Sequence, residues 1–283
     1  MQIHKNIIVK GSKGLPIPLD IFYKRTGKPK PIIVFSHGFK GFKDWGHYDL
    51  VAKSFAEQGF VFVKFNFSHN GTTPEHLTDF VDLEAFGANN YSIEMDDLGL
   101  VLDYVLTKQP YLLDKELYNE KLFLIGHSRG GGITLLKGAE DARVSGIITW
   151  SSVLTFDKFM AGIPMDTWKE ENVFFTLNAR TNQKMPLYYQ LYEDYIAHYT
   201  RLDMKHAAKN IQKPWLIVHG MEDNVVSPKD AEELHQWQPK SKLIFITSGD
   251  HTFGGSHPWD LNTLPQPCTG AIHATIDFIR STI

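Results

Sequence analysis

Short apolar runs rich in β-branched and aromatic residues recur along the chain, and between them apolar positions fall at helical spacing. Residues 7–9 and 19–23 predict two early strands on either side of the turn Gly-Ser-Lys-Gly. Residues 31–36 (PIIVFS) predict a strand of the buried type, followed by 60–67 (FVFVKFNF), 121–126 (KLFLIG), 144–151 (VSGIITWS), 215–219 (WLIVH) and 243–248. Residues 47–58 place Leu50, Val51, Phe55 and Ala56 at helical spacing. Helices are also predicted over 92–106, 130–139, 228–237 and 271–279. Ser92 is the expected N-cap of the first of these, with Glu94, Asp96 and Asp97 near its positive end. Ser227 and Pro228 mark the start of the third. Strands that alternate with helices predict an α/β fold, a mostly parallel twisted sheet with helices on both faces.

Two segments interrupt this alternation. Residues 68–91 are polar and rich in Gly and Asn, too long for a plain connection, and are expected to form a functional loop with a short helix. Residues 155–210 are dense in aromatics and fall between two predicted strands, where a lid would be inserted. The expected organisation is a core of residues 1–154 and 211–283 with a lid of 155–210. Both ends of that lid should emerge at the C-terminal edge of the sheet, so that it roofs the ligand site.

The composition adds little beyond exclusions. The chain has 283 residues, 42% hydrophobic and 22% charged, with a net charge of −3 and no long run of one sign. No basic stripe suggests nucleic acid and no polybasic amphipathic segment suggests a membrane surface. No apolar run approaches the roughly 18 residues that span a bilayer, and the first residues lack the apolar stretch of a signal peptide. Cys268, the only cysteine, sits in what reads as a loop before the final helix, with a buried or capping role expected. A cytoplasmic location is expected.

The candidate chemistry begins at Gly126-His127-Ser128-Arg129-Gly130, a Gly-x-Ser-x-Gly match that follows a strand and opens a helix. A serine between strand and helix sits on a sharp turn that needs small neighbours two residues to either side, and its hydroxyl is pushed out of the sheet beside a helix N-terminus. A hydroxyl needs an adjacent base. The last strand runs into Gly249-Asp250-His251-Thr252-Phe253, so His251 is favoured, with His257 its main rival. An acid should orient that base. The preceding strand runs into Gly220-Met221-Glu222-Asp223-Asn224, which favours Asp223 over Glu222 and over Asp230, the latter inside the following helix. Two backbone N–H groups should hold the oxyanion. Arg129 follows the nucleophile and needs only its backbone for that task, and Phe39, in the turn His37-Gly38-Phe39-Lys40-Gly41, is the second candidate.

HGFKG (37–41), GHSRGG (126–131), HGMEDNVV (219–226) and GDHTF (249–253) together resemble the α/β-hydrolase superfamily from about residue 20 onward. Within it the chain looks like bacterial carboxylesterases and the relatives of dienelactone hydrolase and acyl-serine peptidases. The resemblance implies a Ser128–Asp223–His251 triad and two-step acyl-enzyme chemistry without cofactor or metal. Dienelactone hydrolases proper use cysteine where Ser128 stands, which counts against a dienelactone substrate. The expected substrate is a small-molecule carboxylic ester, with an amide, peptide or thioester as the alternative for the same residues. A non-catalytic binding protein on this fold is disfavoured because no member of the triad is missing. Phe156, Trp168, Arg180 and Tyr188 of the lid are the candidates for binding substrate, with an internal lid core or a surface salt bridge as their plainer roles.

Overall fold

The computed structural model describes residues 1–107 and 120–283. Eight strands form one sheet in the order β1 (Gln2–Lys10), β2 (Pro16–Tyr23), β4 (Val61–Phe65), β3 (Ile32–Ser36), β5 (Leu122–His127), β6 (Gly146–Trp150), β9 (Trp215–Gly220) and β10 (Lys242–Ile246). From β4 to β10 all neighbours are parallel, and β1 and β2 close one edge antiparallel. Two further strands, β7 (Val173–Asn178) and β8 (Gln183–Tyr188), make a separate antiparallel hairpin.

The period of two along each central strand sorts its side chains between two cores. Ile33, Phe35, Phe123, Ile125, Ile148 and Trp150 face the helices Tyr48–Glu57 and Gln266–Thr282. Ile32, Val34, Leu122, Leu124, Ile147 and Ile217 face Tyr91–Thr107, Arg129–Glu140 and Pro228–Trp237. Each such side chain contributes roughly 1.5–3 kcal/mol by leaving water, which explains why the central strands read as unbroken apolar runs. The edge strand β1 alternates exposed and half-buried positions instead.

Three local expectations change. Asn90, not Ser92, caps the helix Tyr91–Thr107: its Oδ1 accepts from the Ile93 N–H at 2.9 Å, whereas Ser92 Oγ is buried without a partner among the described residues. The final helix begins at Gln266, so Cys268 lies in its first turn rather than in a loop. It is buried there, which pushes its thiol up to about 12 and makes it inert. The third change concerns the insertion. Its start does leave the C-terminal end of β6, but its far end must reach the start of β9, because those strands are parallel. The helix Met204–Asn210 makes that crossover, packed on Arg129–Glu140 as part of the core layer, with Gly132 of that helix close to Met204. Only the stretch before it, with the hairpin and its flanking short helices, stands above the sheet edge.

Candidate active site

Strand β5 delivers Ser128 to the C-terminal edge of the sheet. Its backbone holds φ 55° and ψ −120°, a strained conformation for a residue with a side chain. The strain is held from both sides: Ser128 N–H donates to Trp150 O at 2.9 Å, and its own carbonyl accepts from Gly131 N–H at 2.9 Å. The small neighbours are required sterically, since a Cβ on Gly130 would stand 2.5 Å from the Ser36 carbonyl oxygen. The helix Arg129–Glu140 starts at the next residue and sets its positive end against the hydroxyl.

Three strand-end loops meet there. His251 Nε2 lies 3.1 Å from Ser128 Oγ, and its Nδ1 lies 2.9 Å from Asp223 Oδ2. A carboxylate only accepts, so Nδ1 carries the hydrogen and Nε2 turns its lone pair to the serine. Asp223 also accepts from Val225 N–H and Val226 N–H, both at 2.9 Å, on Oδ1, and from His219 Nε2 at 3.2 Å on Oδ2. Burial alone would raise its carboxyl, but the hydrogen bonds from His219 and His251 outweigh it and hold the group well below the usual carboxylate range. His127 Nε2 donates to the His251 carbonyl at 2.7 Å and fixes the loop that carries it.

The rivals are engaged with other partners. His257 Nδ1 accepts from Gly46 N–H at 2.9 Å and its ring packs against Phe42 and Trp45. Asp230 pairs with Lys158 at 2.6 Å, and Glu222 is exposed.

The loop after β3 forms the facing wall. Gly38 comes so close to Ser128 that a Cβ there would sit 3.0 Å from Ser128 Cβ. His37 Nδ1–H donates to Gly38 O at 2.9 Å while its Nε2 accepts from Phe67 N–H at 3.3 Å. Behind this loop lies a buried ionic network. Lys43 Nζ reaches Asp20 at 2.9 Å and Asp44 at 2.6 Å, and Lys64 Nζ reaches Asp20 at 3.0 Å and Asp49 at 2.7 Å. Asp20, Asp44 and Asp49 have the spacing of metal ligands, yet the ammoniums of Lys43 and Lys64, with that of Lys5 on Asp49 at 2.6 Å, already balance their three charges. The arrangement is that of a loop anchor.

A cavity of about 500 Å³ opens over Ser128 and His251. Its walls include Phe39, Tyr91, Phe156 and Phe159, with Arg129, Lys158 and Asp230 as the charged members. Of the four lid candidates, only Phe156 lines it. Trp168 is fully buried inside the insertion, its Nε1–H donating to Leu187 O at 2.7 Å. Arg180 donates to Thr78 O at 3.0 Å and covers the Phe42 ring, and Tyr188 donates through its hydroxyl to Glu84 at 2.6 Å. These three tie the insertion to itself and to the 68–91 segment. Sequence reasoning missed Tyr91, Glu94 and Phe159, and it assigned no task to the Arg129 side chain. The histidine in HGMEDNVV was the available signal for His219. No local pattern marked the others, which lie on different elements.

A strand–turn–helix at the C-terminal edge of such a sheet, with Ser128 on the turn and Asp223 and His251 on later strand-end loops, is the arrangement of an α/β hydrolase. The sequence matches the family described as serine aminopeptidase, S33, over residues 27–191 and the alpha/beta hydrolase fold family over 173–258. The first match spans more than half the chain, which therefore belongs to that family and is a hydrolase. Solved structures agree in fold. Est1E from Butyrivibrio proteoclasticus, solved with ferulic acid bound, is similar at 19% identity and a TM-score of 0.68, with 98% of each chain covered. The esterase domain of a Rhodothermus marinus protein is similar at 16% identity and a TM-score of 0.63, covering 100% of this chain and 98% of that one. Pyrococcus horikoshii acylaminoacyl peptidase is similar at 14% and 0.67, covering 100% of this chain and 42% of that one. No curated protein matches the sequence. Among the described residues no helix is long and apolar enough to cross a membrane.

Proposed function

We propose that this hydrolase cleaves carboxylic esters through an acyl-enzyme on Ser128. The observation that carries the reading is the unbroken string from Ser128 Oγ to His251 at 3.1 Å and on to Asp223 at 2.9 Å, at the floor of a largely aromatic cavity. His251 Nε2 takes the Ser128 proton as Oγ attacks the ester carbonyl. Asp223 keeps the imidazole in the productive tautomer and stabilises the imidazolium. The backbone N–H groups of Phe39 and Arg129 hold the oxyanion, and the helix N-terminus at Arg129 adds to their field. His251 then returns the proton to the leaving alkoxide. Water, deprotonated by the same imidazole, attacks the acyl carbonyl and releases the acid and Ser128.

The small-molecule ligand class draws support from the aromatic wall and from the ferulic acid in Est1E. A peptide or amide substrate is the second reading, favoured by the serine aminopeptidase family match. Both readings use the same attack and differ in the leaving group. Kinetics on an ester and the matching anilide separate them, an ester advantage far above the intrinsic reactivity difference supporting the first. A fluorophosphonate probe should label the wild-type chain and not Ser128→Ala, whose turnover should fall about 10⁴-fold or more. Labelling that persists in Ser128→Ala removes the nucleophile assignment.

A further inference from the structure

The Arg129 side chain is placed as a ligand rather than as a surface cation. It is 6% exposed, and its guanidinium lies 4.1 Å from the centre of the Phe39 ring, 5.0 Å from Phe159 and 5.2 Å from Tyr91. All three rings and Arg129 line the cavity that holds Ser128 and His251. Its one ionic partner among the described residues, Glu94, is reached only by Nη1 and only at 3.5 Å, well beyond the 2.7–2.9 Å of a good charge-assisted hydrogen bond. That Glu94 oxygen also accepts from Asn89 Nδ2 at 2.7 Å. Arg129 Nη2 is buried with no hydrogen-bond partner among the described residues, and so is the Tyr91 hydroxyl on the same wall. A buried donor left unpaired is costly, more so when it carries charge. In the wall of a cavity, such a donor is a place where an acceptor carried by a ligand can bind.

We propose that this is a hydrolase of acidic esters: the Arg129 guanidinium, boxed by Phe39, Tyr91 and Phe159, takes a free carboxylate that the substrate carries beside its scissile ester. The proposal rests on the Ser128 reading above and assigns the site its substrate class. The planar fork of Arg129 suits a carboxylate through Nη2, and the aromatic rings exclude the water that would weaken the pair. Glu94, buried beside it with its own Oε2 unpaired among the described residues, offsets the guanidinium charge without hydrogen-bonding Nη2. The Arg129 backbone N–H serves the oxyanion and its side chain serves recognition, so one residue couples where the carboxylate binds to where the ester carbonyl lies.

The test compares kcat/KM on paired substrates. One pair is the monoethyl ester of adipic acid against the ethyl ester in which an isopropyl group replaces the free carboxylate. The other carries the carboxylate on the alcohol side: a butanoyl ester of a hydroxy acid against that of the matching branched alkanol. We expect the wild-type chain to favour the carboxylate member at least tenfold in one pair, which also tells on which side of the ester Arg129 lies. In Arg129→Met that ratio should fall at least tenfold, mostly through KM, whatever happens to the neutral ester. Arg129→Lys, which keeps the charge without the fork, should fall between the two and serves if the Met variant does not fold. Ratios near one in both pairs, or a preference that stays at the wild-type level in Arg129→Met (in Arg129→Lys, if the Met variant does not fold), overturn the proposal. Fluorophosphonate labelling separates the two levels: a labelled wild-type chain with ratios near one sinks only the acidic-ester class, whereas an unlabelled one sinks the Ser128 reading beneath it.

Discussion

Ser128, Asp223 and His251 each stand within a few residues of the end of a strand in the eight-stranded sheet, whereas Phe156 and Phe159 reach the same cavity from an insertion with its own hairpin. On the strand-end side the three residues sit soon after their strands and are tied down by hydrogen bonds. Asp223 alone collects four donors. On the insertion side most aromatic area is used internally. Trp168, Leu191 and Tyr195 are buried in the core, and among the described residues of the insertion only those between 155 and 159 line the cavity over Ser128. The contrast teaches that reaction geometry here is inherited from the sheet, while the insertion is a small packed unit that contributes one wall.

Breaking the strand-end side should have the largest effect. Asp223→Asn should lower kcat by about 10³–10⁴-fold with little change in KM, because the amide no longer enforces the His251 tautomer. His251→Ala should be at least as severe. His257→Ala should keep most turnover, since that ring packs on Phe42 and Trp45 away from Ser128. Steady-state kinetics on one ester rank the three, and the reverse order for the histidines would transfer the base to His257.

In the insertion, the same kind of truncation should split by position. Trp168→Ala should lower stability by about 3–5 kcal/mol in denaturant melts while leaving the ratio of bulky to short ester turnover near wild type. Phe159→Ala should raise KM for bulky or aryl esters several-fold and spare acetyl esters, the mark of a contact shared by ground and transition states. Equal ratios in both variants would make the whole insertion packing.

A smaller, graded effect should appear with pH. Burial lowers His37 and His47 to about 4 and His127 to about 3, from 6.5. Above pH 6.5 neither state of the chain protonates them. As pH falls below 6.5 the unfolded chain takes up protons that the folded chain refuses, so stability falls, by up to about 1.4 kcal/mol per pH unit for each histidine, until roughly pH 4. Asp223 acts in a lower window: its depressed carboxyl begins to cost stability only as pH drops below the ordinary 3.8. Glu94, raised by burial, runs the other way and gains stability as pH falls through its raised value. Urea melts between pH 7 and 4 measure the slope. His47→Gln should flatten it, and an unchanged slope would deny His47 its share. The smallest effect is expected for Tyr188→Phe, which removes one exposed hydrogen bond to Glu84. Its cost should stay within about 1 kcal/mol, with both ester activities unchanged.

What the chain alone determined follows from local rules. Helical and strand periods placed the central strands and main helices, and Gly126 and Gly130 around Ser128 announced a turn that only small residues allow, as the close approach of Gly130 to the Ser36 carbonyl shows. Chain order then ranked Asp223 and His251 ahead of their rivals, because strand ends of a parallel sheet converge on one edge. Only the tertiary structure decided that residues 204–210 cross back along the helix Arg129–Glu140, that Trp168, Arg180 and Tyr188 stay out of the cavity wall, and that Arg129 meets Glu94 and Tyr91 from a helix some 35 residues earlier. An aromatic or an arginine satisfies the same local pattern whether it packs inward, pairs at the surface or lines a pocket. Which it does is set by the partners that folding brings against it, and those are distant in sequence.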